Sequence, residues 1–236
     1  MQRMIALTAL LILAVFAVHS TPLRDPGIPD NETAVYRIVQ EDESWTVTER
    51  AAATNERGEP AYRFEYDAPN EHTKVLVYGA GMIPFYDQTI TSNDSMKMDT
   101  TMRVELSGPH AYADVMVLAL AELKYLLRGF RFGEDRTLNV AYLSTNEGDE
   151  GDTNFEISIR YQGTDVVKLE TREVEAYKLE LRMSASGILR VINALVPKTY
   201  FWYSVEAPHY LVAYEGSIGF AGSPKRSVQI IDYSGW

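Results

Sequence analysis

The feature that most constrains this chain is a two-residue rhythm of oily and polar side chains. Between Ser95 and Leu106, Met96, Met98, Met102, Val104 and Leu106 share one parity, while Lys97, Asp99, Arg103 and Glu105 hold the other. A helix would mix these sets around its circumference; a strand sends them to opposite faces. The rhythm recurs in Tyr62, Phe64 and Tyr66 against Arg63 and Glu65, and in Phe155, Ile157, Ile159 and Tyr161 against Glu156, Ser158 and Arg160. Further strand candidates run over 34–41, 45–52, 73–79, 83–91, 137–144, 164–171, 173–183, 199–206, 209–216 and 226–232. Turn formers separate them at Asn55 to Gly58, Gly79 to Gly81, Asn146 to Asp152, Gln162-Gly163 and Gly219 to Pro224. Short connections between one-sided strands predict antiparallel neighbours, hence a large meandering antiparallel sheet with one dry face.

One stretch departs from the rhythm. From Pro109 to Gly129, Met116, Ala119, Leu120, Leu123, Leu126, Leu127 and Phe130 recur at spacings of three and four, with a proline suited to a first turn and a glycine suited to a stop. This predicts an amphipathic helix, and the dry side of the sheet is its natural partner. A weaker helical pattern through Ile188, Val191, Ile192, Leu195 and Val196, ended by Pro197, leaves helix or strand open, because β-branched residues favour a strand while the spacing is helical.

The amino-terminal end carries an export pattern. Residues 1–20 read as a signal peptide, with Arg3 as the positive end, an uncharged run from Met4 to Val18, and Val18 and Ser20 as small residues before a cut. The run is shorter than the roughly 20 apolar residues a membrane-spanning helix needs. Residues 21–31, with three prolines and a glycine, are expected to be a flexible leader, and residues 32–236 a single β domain. The chain holds no cysteine, which removes disulfides and thiol chemistry together. Its formal charge of −11 argues against nucleic acid as a partner. A soluble protein of the periplasm, or otherwise associated with the cell envelope, is the expected setting. An outer-membrane barrel shares the alternation, but counting back by twos from Trp236 meets Ser234 and Asp232, a poor lipid-facing band.

Leu126-Leu127-Arg128-Gly129-Phe130, the later strands through Glu173 to Met183, the run Tyr200-Phe201-Trp202-Tyr203-Ser204 and the following Ala207-Pro208-His209-Tyr210-Leu211-Val212 together resemble the exported bacterial family catalogued as domain of unknown function 3108. The segment Ser184 to Pro197 departs from that pattern as an insertion. The resemblance implies an exported antiparallel β protein of unassigned activity. By looser analogy the architecture is similar to the LolA/LolB-like lipoprotein-sorting half-barrels, which implies a half-barrel or open barrel: a large curved sheet with one amphipathic helix on its concave apolar face.

Chemistry is sparse. His72, His110 and His209 lie in separate turns without metal-ligand spacing, and neither a Gly-x-Ser-x-Gly elbow nor a His-Glu-x-x-His run occurs. No cofactor is expected. In the acidic stretch around Asp149 and Asp152 a solvated hairpin loop competes with a weak calcium site, whose twelve-residue spacing it does not match. The aromatic run from Tyr200 to Tyr203 with Tyr210 and Tyr214 suits either sugar or acyl contact or plain cross-strand packing. Arg128 reads either as a helix-end cation or as an anchor for an anionic ligand head. The methionine-weighted dry face points to an irregular, lipid-like ligand or an envelope protein partner, with Met96, Met98, Met102, Met116, Leu120, Arg128, Trp202 and Tyr210 as the candidate contacts. The alternative is a structural or assembly role with a fully packed core and no ligand; an unrecognised hydrolase is a third reading.

Overall fold

The structure is a computed structural model and describes residues 23–56, 58–68, 71–78, 82, 86–92, 102–104, 115–117, 123–134, 137–142, 155–184, 198–217 and 224–236. The strands are β1 (Glu32–Gln40), β2 (Glu43–Glu56), β3 (Glu59–Ala68), β4 (Glu71–Tyr78), β5 (Tyr86–Ser92), β6 (Met102–Val104), β7 (Val115–Val117), β8 (Thr137–Tyr142), β9 (Phe155–Lys168), β10 (Glu173–Ser184), β11 (Thr199–Ser204), β12 (Leu211–Ser217) and β13 (Lys225–Tyr233). One helical element, α1 (Leu123–Leu126) with a 3-10 turn over Leu127–Gly129, precedes β8.

The strands form one sheet in the order β6-β5-β4-β3-β2-β1-β13-β12-β11-β10-β9-β8-β7. The meander expected from the alternation is therefore present, with chain ends meeting where β1 pairs β13, from Ala34 opposite Tyr233 to Gln40 opposite Arg226. Among the described residues every pairing is antiparallel except β7 with β8. Among the described residues the strands at the two ends of the order, β6 and β7, are not paired with each other, and the sheet is unclosed.

The face that the rhythm marks as dry is the face that is covered. Along β1, Glu32, Ala34, Tyr36 and Ile38 are buried in alternation with half-exposed neighbours. The same side gathers Val47, Tyr62, Phe64, Leu138, Val140, Ile157, Ile159, Leu179, Phe201, Tyr203 and Ile230 around Leu123, Leu126 and Leu127. Each leucine or isoleucine so covered contributes roughly 1.5–3 kcal/mol relative to an exposed one.

The helix shows that this side is concave. The Tyr125 ring stacks on Phe64 of β3 with centroids 4.2 Å apart, while the carbonyl of adjacent Lys124 accepts a 2.8 Å hydrogen bond from the Tyr203 hydroxyl of β11. Five ladder steps separate β3 from β11, about 24 Å at the ordinary strand spacing. Neighbouring residues of one helical turn reach both strands only because the sheet bends around them. The protein is thus mainly β, a large curved antiparallel sheet with, among the described residues, a single short helix on its concave face.

Three expectations are corrected in detail. The helix foreseen over Pro109 to Gly129 is helical only in its last turn among the described residues: Val115, Met116 and Val117 form β7 instead. Two β-branched valines flanking Met116 favour that extended state. The turn read at Gln162-Gly163 is no turn. β9 runs straight through it as a fourteen-residue strand, with Gly163 at φ 108° beside a register shift against Lys178 and Leu179. A glycine at positive φ makes a β-bulge there rather than a hairpin. Residues 23–30, expected as a flexible leader, do lack regular structure, yet Leu23, Pro26 and Ile28 are buried against the core. The proposed signal peptide, the weak pattern over 188–196 and the acidic stretch with Asp149 and Asp152 lie outside the described residues. No helix among the described residues is long and apolar enough to cross a membrane.

Candidate functional site

A charged residue at a dry-face position of a strand is out of pattern, and Glu32 and Glu49 stand at such positions beneath the helical turn. Glu32 shares its parity with Ala34, Tyr36 and Ile38, and Glu49 shares its parity with Val47 and Ala51. The register places them diagonally on adjacent strands, since Ala34 pairs with Glu49 and Glu32 with Ala51. Above them, Lys124 and Arg128 are four residues apart and so project from one side of a helical turn. Lys124 pairs with Glu49 and Arg128 with Glu32. Two cations thus clamp the helical element to two carboxylates on the concave wall.

The Arg128 pair is enclosed, with both side chains 5% exposed. Its two terminal nitrogens each donate to one Glu32 oxygen, at 2.6 and 2.8 Å, a forked geometry that only a guanidinium offers. Nε and one terminal nitrogen also donate to the Pro208 carbonyl at 3.3 and 3.1 Å. Burial opposes the charge of Arg128, but the hydrogen bonds and charge of Glu32 outweigh it and hold the guanidinium above its ordinary value. The Tyr233 hydroxyl donates to Glu32 at 3.0 Å, which satisfies a further lone pair. Burial, then the nearby Glu32 carboxylate, pushes that phenol well up.

Around the Glu49 pair the Lys124 ammonium lies 4.8 Å over the Tyr66 ring and 4.6 Å over Tyr125. Burial first and Glu49 second raise the phenols of Tyr36 and Tyr125 far above their usual value, so both stay protonated. Between the two pairs a cleft bordered by Tyr36, Ala51, Phe64 and Leu211 keeps about 10 Å³ of free space, close to what one water molecule needs.

The candidate contacts fall in different places. Arg128 and Tyr210 belong to one connected inner cluster: Tyr210 stacks on Tyr233 with centroids 4.0 Å apart, and its hydroxyl accepts from Trp236 Nε1 at 3.0 Å. Trp202 points the other way. It is half-buried on the convex face, where its Nε1 donates to Asp165 at 3.3 Å and Lys178 lies 4.9 Å over its ring. Met102 sits on β6 and Met116 on β7, at opposite ends of the strand order. Met96, Met98 and Leu120 lie outside the described residues. The reading of Arg128 as an anchor for an anionic ligand head meets a full house, since each of its three guanidinium nitrogens already bonds within the chain.

Sequence reasoning passed over Glu32, Glu49 and Lys124, although the signal was there: acids at dry parity on two strands and cations at helical spacing. Beside this cluster, Phe132 stacks on Tyr177 at 4.4 Å, and His209 meets both rings edge-on at 5.1 and 5.7 Å. Burial lowers the His209 imidazole below its ordinary value, and its Nδ1 bonds the Ser204 carbonyl at 3.0 Å. Among the described residues no group of three or more acidic or histidine side chains could hold a metal ion.

The fold and the clamp define a class, an open curved antiparallel sheet pinned around a short helix. The sequence matches no family profile and no curated protein, so membership of the family of domain of unknown function 3108 is not shown. Solved structures are similar in outline at low identity. The hypothetical lipoprotein YmcC from Escherichia coli is 9% identical over 86% of this chain and 88% of that one, with a TM-score of 0.38. A beta-barrel-like protein of domain of unknown function DUF1849 from Brucella abortus is 5% identical over 89% and 98%, with a TM-score of 0.41. A LolA superfamily protein from Nitrosomonas europaea is 11% identical over 90% and 88%, with a TM-score of 0.26.

Proposed function

We propose that the protein is an exported component of the cell envelope that holds an apolar, lipid-like ligand on the concave face of its sheet. The observation that supports this most is the cover over that face. Among the described residues, an apolar wall running from β3 round to β8 is met by a helical turn of four residues, the 3-10 turn after it and the segment 23–30. The ligand would bind along that wall where this cover lifts. The Met96 to Leu106 side chains, with Met116 and Leu120, extend the proposed contact set, and Arg128 serves it by pinning the roof rather than by binding the ligand head.

A second reading is favoured by the clamp cleft, whose 10 Å³ admits no acyl chain. In that reading the core is packed throughout and the protein has a structural or assembly role, meeting an envelope partner by its outer surface. One experiment separates the two. The protein, produced with its own leader and released by osmotic shock, is extracted for lipid mass spectrometry, then delipidated and titrated with cis-parinaric acid. Co-purified lipid and saturable probe fluorescence are expected. Neither lipid nor probe binding removes the ligand reading and leaves the structural one.

A further inference from the structure

We infer that residues 23–30 are a displaceable strap that closes the concave face and is lifted when the apolar ligand enters; this rests on the ligand reading above. The strap crosses the concave side between β3 and the end of the 3-10 turn. Leu23 and Ile28 are 1% and 4% exposed, so they occupy apolar space that a ligand would otherwise use. Its backbone is tied at Arg24, whose N–H donates to the Gly129 carbonyl at 2.7 Å. Asp25 accepts a 2.6 Å hydrogen bond from the Tyr62 hydroxyl of β3. The same carboxylate takes the Gly27 N–H at 2.8 Å and so fixes the bend at that glycine, whose φ is +63°.

Two features make this a strap rather than a fourteenth strand. No residue from 23 to 30 joins the ladder, so lifting the segment breaks no strand pairing. Asn31, at φ 60°, forms the turn that leads directly into β1 and supplies a pivot, asparagine being one of the few side chains that accept that conformation. The Arg24–Glu134 ion pair at its outer edge has both side chains more than half exposed, which makes it a weak, salt-screened tie. At Gly129 the strap lies against the 3-10 turn. A Cβ added there would come within 2.4 Å of the Arg24 carbonyl oxygen and 2.7 Å of Met82 Cγ, so any larger residue forces the 3-10 turn and the strap apart.

If the closed strap excludes ligand, the apparent affinity is reduced by the fraction of molecules in which it is open, and forcing it open restores that factor. The test uses the full mature protein, delipidated, with oleate as the ligand probe and amide hydrogen exchange as a readout of the strap. Saturating oleate is expected to speed exchange at the Arg24 amide by about tenfold or more while amides of β1 keep their protection. Leu23→Asp is expected to tighten oleate binding by about tenfold, by the population argument. Gly129→Ala acts on the strap from the opposite side and serves where Leu23→Asp fails to fold. Oleate that binds with the Arg24 amide unchanged, and with neither variant binding more tightly, overturns the strap while leaving the ligand reading intact. No oleate binding to the parent or to either variant overturns both.

Discussion

Strand β1 carries two ion pairs of the same chemistry on opposite faces. On the concave side Glu32 holds Arg128 with both partners enclosed; on the convex side Arg37 holds Glu170 with both partners substantially exposed. The inner pair has further partners in the Tyr233 hydroxyl and the Pro208 carbonyl, so it ties the helical turn, β1, β13 and the turn before β12 into one unit. The outer pair joins β1 to the β9–β10 hairpin and is open to solvent. Identical groups are therefore structural on one face and nearly ornamental on the other, because what decides is the cost of leaving a charge unpaired away from solvent.

That contrast can be broken most readily from the inside. Arg128→Met alone strands Glu32 and is expected to cost about 3–5 kcal/mol in urea denaturation. Adding Glu32→Leu removes the orphaned charge and is expected to restore most of that loss; a double variant as unstable as the single one would show that the fork itself, not the stranded charge, is what matters. Tyr203→Phe leaves the Lys124 carbonyl without its donor and is expected to cost about 1–3 kcal/mol, loosening α1 against β11.

A smaller effect comes from His209. Burial holds its folded value below the ordinary histidine value near 6.5. As pH falls from about 6.5, the unfolded chain takes up a proton that the folded chain resists, so stability decreases through the folded value. His209→Gln is expected to flatten that part of a stability–pH profile and leave the profile above pH 7 unchanged. The smallest effects belong to the convex face: Arg37→Ala and Trp202→Phe are expected to leave the denaturation midpoint unmoved, and a clear fall for Arg37→Ala would overturn the contrast between the faces.

Much of the sheet was legible because alternation is a direct image of a one-sided strand, as in Ala34 to Ile38 or Phe155 to Tyr161. What failed was punctuation. Gly163 looks like a hairpin turn in sequence, yet a single glycine in a strand serves equally as a bulge, and only pairing with β10 decides. Val115-Met116-Val117 fits a helical spacing when read with the leucines after it, and pairs with β8 instead. The site was half legible. Tyr200 to Tyr203 reads as one aromatic band, but the strand period sends Phe201 and Tyr203 inward and Tyr200 and Trp202 outward, so it cannot line a single pocket. The clamp escaped because its members lie far apart in sequence, Glu32 and Arg128 being 96 residues apart, and only the curvature of the sheet brings them together.

The claim on which the account turns is that function resides on the concave face. The direct measurement is photolabelling of the delipidated protein with a diazirine fatty acid, followed by peptide mass spectrometry. Label on the inward residues of β1, β3 and β11 and on the strap is the predicted result. Label confined to the convex side around Trp202 and Asp165, or none at saturating probe, would contradict it.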